Sequence, residues 1–532
     1  MTSRTAAPDR PVVDAEVIPR LREDLEPFTV DAVLDLLGPV AHSALAREQP
    51  LPARLAVTRA LAAAESSAAP SAAELGAAEP PAVLAALFVL GMPVPRRAAE
   101  RALPRTGVAA ATRLGLLEAG GEAPEDDVRA LVDLRPYAAV DALGTASWWV
   151  ASDLSEHAVR GPLRADHVLG VGGASLSLAR CAFRRPVGAT LDLGTGCGVQ
   201  ALHAARHSAR VTATDLSARA LAFARFTLAL NGVHADLRRG DLLTPVAGES
   251  FDQVVSNPPF VITPRHAPMP AYAYRDGGAV GDAIVERLVT GLGSVLAPGG
   301  TAQLLGNWEH RRGEPWTERV GSWLDRSGLD GWVVQRDLQD PAEYAEMWIR
   351  DGGSPDPALH EAQYAAWLAD FDDRDVEAVG FGVVVLHRPD GDSGSRLRRL
   401  EEVPGSADAA LGDHLAASLE AQTWLAACDD TALLATRLVV APDVTEERYH
   451  RPGEEDAQVV LLRQGAGFSR AVRADTALAG LAGACDGELS AGRIVAALAV
   501  LLERDADGLV RDLLPGLRAL VADGLLTRAA PA

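Results

Sequence analysis

The stretch TLDLGTGCGVQALHAARHSARVTATDLS, residues 190–217, constrains the fold more than any other. An apolar run ends at Asp192, a turn carries Gly194, Gly196 and Gly198, and an Ala-rich helix begins at about Gly198. Glycine there permits both a tight turn and the close approach of a ligand to backbone. The next apolar run ends at Asp215, about twenty residues on, where a carboxylate can accept both hydroxyls of a ribose. Two ligand classes share that geometry. A dinucleotide fold prefers G-x-G-x-x-G, which sets a pyrophosphate at the helix N-terminus. This chain has G-x-G-x-G with Val199 next, and the acidic Asp192 before the turn repels a pyrophosphate and attracts an ammonium or sulfonium group. S-adenosylmethionine (SAM) therefore fits better.

Around this stretch, between residues 151 and 388, strand-like segments alternate with helical ones: ATLDLGTG, VTATDLS, FDQVVSNPP, GTAQLLGNWE, GWVVQR and VGFGVVVLHR. Such alternation implies an α/β domain with a doubly wound, mostly parallel sheet. At 532 residues the chain is too long for one core. Residues 1–150 are expected to form a helical and winged-helix-like domain: FTVDAVLDLLG has helical spacing, and three short helices precede the alternating VRALVDL. An Ala/Ser/Pro-rich linker, AAAESSAAPSAAELGAAEPP, divides this region. Residues 151–395 form the α/β domain and RPDGDSGS closes it. Residues 396–532 are expected to hold a hairpin, AQVVLLRQGAGFSRAVRAD, followed by a second winged-helix-like module.

The fourth strand of the α/β domain ends in SNPPF. Proline fixes its own φ and restricts the residue before it, so Asn257, Pro258 and Pro259 form a stiff corner. Two acceptors result, the Asn257 side-chain oxygen and the Pro258 carbonyl. An amide or aryl amine nitrogen is planar and poorly nucleophilic. Holding both of its hydrogens aims the residual lone pair and stabilises the positive charge that grows on nitrogen. Phe260 offers a ring to a flat acceptor.

Taken in order, these segments resemble class I SAM-dependent methyltransferases. The turn with Asp192, Gly194, Thr195, Gly196, Cys197 and Gly198 is similar to their first motif, and Asp215 with Leu216 to their second-strand acidic site. RRGDLL is similar to the element in which Asp241 accepts from the adenine amino group and Leu242 packs on the ring. The corner resembles the (N/D)PP(Y/F) signature of enzymes that methylate planar nitrogens, namely the HemK/PrmC glutamine methyltransferases, the adenine amino-methyltransferases and the RsmC-like "small domain" enzymes. The resemblance covers residues 150 to 390 and implies a seven-stranded Rossmann-like sheet, SAM as cofactor, and acceptor binding by Asn257, Pro258, Pro259 and Phe260, with Asn257 also touching the cofactor. It further marks Asp166, His167 and Gly172 as candidates to cover SAM. Tyr272, Tyr274, Arg275 and Asp276 are candidates for the acceptor channel. Two departures matter: the glutamine enzymes usually have Tyr where this chain has Phe260, and the second methyltransferase-like half of RsmC-like enzymes is not found here.

The acceptor class is argued from composition. The net charge of -22 and pI near 5.0 speak against a broad nucleic-acid footprint, and the arginine cluster Arg96, Arg97, Arg101 and Arg105 reads as a solvated face. Phe260 and the flanking modules nonetheless favour an RNA guanine or adenine amine as acceptor, with a protein glutamine or peptide nitrogen as the alternative and a non-catalytic SAM-binding scaffold as a third reading. The C-terminal segment is similar to PqqD-like peptide-binding modules, which suits the peptide alternative. All fifty basic residues are arginine, which excludes Schiff-base and P-loop lysine chemistry. Cys181, Cys197, Cys428 and Cys485 form no C-x-x-C pair, so neither zinc nor a disulfide framework is indicated. With no signal-like N-terminus and no apolar run of spanning length, the expectation is a cytoplasmic monomer with no membrane or DNA partner.

Overall fold

The computed structural model describes residues 8–66, 79–159, 163–265, 272, 274–351, 357–391, 397–405, 411–454 and 457–530. Its centre is one sheet of eight strands: β1 (Val187–Leu193), β2 (Ser208–Asp215), β3 (Asp236–Arg239), β4 (Phe251–Ser256), β5 (Leu296–Arg311), β6 (Asp330–Gln339), β7 (Val376–His387) and β8 (Arg398–Glu402). Their order across the sheet is β8-β6-β7-β5-β4-β1-β2-β3. Every neighbouring pair is parallel except those made by β7, which runs antiparallel to both β5 and β6. The central strands are covered on both faces and accordingly read as continuous apolar runs.

The sheet exceeds the expected seven strands by one. The eighth, RRLEE, pairs in parallel with β6, so the sheet continues past residue 395. Its charged sequence, with Leu400 the one apolar residue, suits an edge position and carries little of the apolar signal by which the inner strands are recognised.

One face of the sheet carries α1 (Gly173–Cys181), α2 (Val199–Ala204) and α3 (Ala218–Leu230); the other carries α4 (Ala283–Gly291) and α5 (Trp316–Ser327). Two more helices, α6 (Pro341–Asp351) and α7 (Pro357–Asp372), pack Tyr344, Trp367 and Phe371 into a separate aromatic cluster with Val261 and Ile262.

The N-terminal residues do not form an isolated core. Leu21, Leu25, Phe28, Phe88 and Val150 belong to the same buried cluster as Phe223, Phe226 and Leu230 of α3. Arg22 donates to the carbonyls of Ala229 and Leu230 at the end of that helix, and Trp149 donates its ring N–H to the Phe28 carbonyl. The expected short helices are found at Arg96–Ala102 and Gly107–Arg113, after a segment whose Ala85–Val89 turn is π-helical; strands Val94–Pro95, Asp127–Ala130 and Leu117–Ala119 form a small sheet in that order. A long hairpin, Asp133–Asp141 with Gly144–Ser152, then lies against α3. Most of the Ala/Ser/Pro-rich linker falls outside the described residues.

At the other end, α8 (Leu411–Ala426) covers the α1 face of the sheet through Leu415 and Leu419. The expected hairpin appears as Ala457–Gln464 with Ala471–Ala474, extended by a third strand, Val444–His450. Helices Thr476–Gly483, Ala491–Leu501 and Ala506–Ala522 follow, beside a sheet in which Arg437–Val440 lies between Asp486–Ser490 and Leu526–Arg528. Among the described residues no single helix is long and apolar enough to cross a membrane.

Candidate active site

The chain passes from β1 to β2 on one side and returns to β4 on the other, which opens a crevice at the carboxyl ends of these strands. A cleft of about 1530 Å³ occupies that place, lined by the Gly194–Cys197 turn, Asp215, Asp241, Leu242 and the whole Asn257–Phe260 corner.

The turn is held from below. The N–H groups of Gly194 and Thr195 both donate to the Thr214 carbonyl at 2.9 Å, and Gly196 N–H donates to Asp215 Oδ2 at 3.0 Å. Gly194, Gly196 and Gly198 have φ of 77°, 55° and 88°, in the left-handed region open to glycine. At Gly198 a Cβ would approach the Cα of Ala224 in α3 to 3.1 Å, so its absence lets the start of α2 close up on α3. At Gly196 a Cβ would meet nothing within 4 Å, which leaves the turn open to the cleft.

Asp192 is buried beneath the turn. Its Oδ2 accepts from Thr195 Oγ1 at 2.6 Å, while Oδ1 has no hydrogen-bond partner. Burial raises its pKa to about 7, with the Asp215 charge adding to the effect. A buried acceptor of this kind suits a cationic donor such as the ammonium of an amino acid. Asp215 accepts from Gly196 and Ser217 with one oxygen each, and burial raises its pKa too. Each of its oxygens keeps a lone pair for a ribose hydroxyl. Leu216 beside it is 62% exposed in the cleft wall, a large apolar surface that a flat ring would cover. Asp241 is exposed and lies 3.6 Å from Arg287, and Leu242, at φ 44°, packs half-buried against the α4 cluster. The residues present thus fit SAM.

The corner sits beside this turn because β4 pairs with β1 in register, Leu193 opposite Ser256. Asn257 Oδ1 is buried without a hydrogen-bond partner, a free acceptor at the cleft. Behind the corner, Tyr344 accepts from the Ile262 N–H at 3.0 Å and from Asn307 Nδ2 at 2.8 Å, which ties the loop to β5. Phe260 is half-buried where three apolar clusters meet.

The flanking candidates divide. Asp166, His167 and Gly172 line the cleft, but His167 is buried and burial lowers its pKa, so it is neutral at pH 7. Tyr274 and Arg275 form a wall: Arg275 lies 4.9 Å from the Tyr272 ring centre and 5.9 Å from that of Tyr274, donates to Asp351 at 2.9 Å, and receives Trp348 as a third ring at 6.0 Å. Tyr272 is buried behind that wall rather than lining it. Asp276 is clamped by Arg265 through both oxygens and is no free acid. Residues 266–271 and 273 of the same loop lie outside the described residues.

Several lining residues escaped the sequence reading. Trp348 and Asp351 come from α6, Asp133 and Arg135 from the N-terminal hairpin, and Asp9 and Arg10 from the start of the described chain. Asp153 pairs with Arg219 at the base of α3. Only tertiary packing unites them.

Residues 172–315 match the family described as "Methyltransferase small domain". Residues 26–131 and 416–528 each match a domain of unknown function. The chain is 32% identical over 163 residues to a ribosomal protein uL3 glutamine methyltransferase of Bradyrhizobium diazoefficiens, covering 28% of this chain and 51% of that one. It is 40% identical over 126 residues to a release factor glutamine methyltransferase of Deinococcus radiodurans, covering 21% and 44%. Over 122 residues it is 34% identical to ribosomal RNA small subunit methyltransferase C of Alcanivorax borkumensis, covering 23% and 33%. The chain thus spans about half or less of the length of these relatives. With the sheet order, the glycine turn and the acidic strand ends in place, residues 172–315 are similar to the small-domain methyltransferases of the class I, SAM-dependent kind.

Proposed function

We propose that this protein transfers a methyl group from SAM to a planar nitrogen, and that the nitrogen belongs to a polypeptide amide of the glutamine kind. The observation that carries the reaction type is the free, buried Asn257 Oδ1 beside the Gly194 turn, at the join of β1 and β4. When bound, SAM would supply an electrophilic methyl and leave as S-adenosylhomocysteine, the acceptor nitrogen giving up one proton to solvent. Asn257 Oδ1 and the Pro258 carbonyl accept the two hydrogens of the acceptor NH2, the stiff corner keeps those acceptors fixed, and the charge growing on nitrogen meets oxygen dipoles that need no reorganisation. Phe260 flanks the acceptor plane. Asp192 and the turn take the amino acid end of the cofactor, Asp215 its ribose, and Asp241, Leu242 and Leu216 its adenine.

The polypeptide is favoured over RNA by charge. Among the described residues, carboxylates outnumber guanidinium groups around the cleft, and the arginines Arg219 and Arg275 are committed to Asp153 and Asp351. A phosphate backbone would enter against this field, whereas a peptide would not. Two of the relatives above bear glutamine methyltransferase names. RNA is the second reading, supported by the likeness to ribosomal RNA small subunit methyltransferase C. Incubation with methyl-labelled SAM and an extract of the source cells, then digestion, separates the two. Label released by protease supports the amide; label released only by RNase overturns it in favour of RNA.

A further inference from the structure

The ion pair between Asp153 and Arg219 is buried, each side chain 7% exposed, at the edge of the cleft. Burying two charges costs desolvation that their attraction rarely exceeds, so such a pair is weak evidence for stability and invites another explanation. Its contacts supply one. Arg219 donates through Nε to Asp153 Oδ2 at 2.8 Å and through Nη2 to Oδ1. Its remaining nitrogen, Nη1, donates to the Asp9 carbonyl in the N-terminal segment. Asp153 Oδ2 also accepts from the Val168 N–H at 2.9 Å, and Asp153 N–H donates back to the Val168 carbonyl.

Three segments that line the cleft are thereby joined at one carboxylate: the start of α3, the loop around His167 and Val168, and the strand end at Ser152. Arg219 lies in the first turn of α3, directly after the Asp215–Ser217 bend in which Ser217 N–H fixes Asp215. The far end of the same helix is held by Arg22. The N-terminal region therefore grips α3 at both ends, and α3 carries the bend that orients Asp215.

We infer that Asp153 and Arg219 are a positioning pair for the cofactor, through which the segment at Asp9 and the strand end at Ser152 set the affinity of the methyltransferase cleft for SAM. The inference rests on the SAM reading of that cleft. The pair touches no reacting atom; it holds the Asp215 bend and the Val168 loop at the spacing the nucleoside requires.

The test measures binding of S-adenosylhomocysteine by calorimetry to the full chain and to three variants, Asp153→Asn, Arg219→Met and the double Asp153→Leu/Arg219→Met, with thermal melting of each. Either single change leaves one buried group uncompensated, so loss of affinity there has two explanations. The double variant removes both charges and leaves only the Val168 N–H without its acceptor, so its melting temperature is expected to rise above those of both single variants. Affinity in the stable double variant is expected to stay about tenfold or more below native, the scale typical of groups that orient a ligand's direct partners. Native-like affinity in that variant overturns the inference and leaves the cofactor reading standing. Absence of binding by the native protein overturns the cofactor reading and the inference together. A double variant that melts no higher than the single ones also overturns the inference, because the pair would then be a fold element.

Discussion

Ser256 donates its hydroxyl to the Leu193 carbonyl at 2.8 Å, pinning the last residue of β4 to the last residue of β1. One bond thus fixes the spacing between the Gly194 turn and the Asn257 corner, the two halves of the site. Ser256 is fully buried. Replacing it by Ala is expected to cost about 1 kcal/mol of stability, the net worth of one hydrogen bond. The larger effect falls on kcat, because the corner then moves relative to the methyl donor. Chemical denaturation beside steady-state kinetics checks both; an unchanged kcat would show that the sheet register alone sets the spacing.

Asn257→Ala removes the free acceptor. Methyl transfer should fall by about 10²–10³, as when one donor of an oxyanion hole is lost. Binding of S-adenosylhomocysteine should fall far less, because the turn and Asp215 keep their contacts and only the one at Asn257 is lost. Single-turnover rates with saturating cofactor separate these quantities.

Asp192 gives the cleft a pH dependence of defined sign. Its pKa in the folded chain, about 7, lies above the ordinary carboxyl value, so folding favours the protonated form. The stability this contributes is fully present below about pH 4 and is lost as pH rises through about 7. Cofactor affinity runs the other way: the ammonium of SAM prefers the ionised carboxylate, so binding should tighten as pH climbs through about 7 and level off above. Asp192→Asn should weaken binding and flatten this slope. Calorimetric titrations between pH 5.5 and 8.5 read it directly, and an unaltered slope in the variant would assign the proton elsewhere.

What the sequence carried follows from how local each feature is. The Gly194–Gly198 turn, Asp215 and the Asn257–Phe260 corner each lie within a few residues of a strand end, so pattern and spacing placed them in one crevice. The eighth strand, Arg398–Glu402, did not show itself because an edge strand of charged residues lacks the apolar run of its neighbours. Asp276 lines the cleft as a channel candidate would, but its clamp by Arg265, eleven residues away across a loop, left no periodic trace. The same holds more strongly for Asp153 and Arg219, 66 residues apart, and for Trp348 against Arg275. Contacts of that separation are written in the packing of the N-terminal region and α6 against the sheet.

Tyr344 is the hinge of the corner's far side. Its buried hydroxyl accepts from Ile262 N–H and Asn307 Nδ2, and burial raises its pKa, so it stays protonated throughout the working range. Tyr344→Phe leaves two buried donors without an acceptor, each at about 1–3 kcal/mol. The ring itself still fills the cluster of Trp367, Phe371 and Phe381, so the fold should survive with a lowered melting temperature. The loop after Phe260 loses its tie to β5, so the two acceptors of the corner sample more positions and the acceptor nitrogen is aimed less often. Hydrogen exchange should accelerate at Ile262 while the amides of β1 stay protected, and kcat should fall more than cofactor affinity. Equal losses in both would mean that the change spreads through the sheet instead of stopping at the corner.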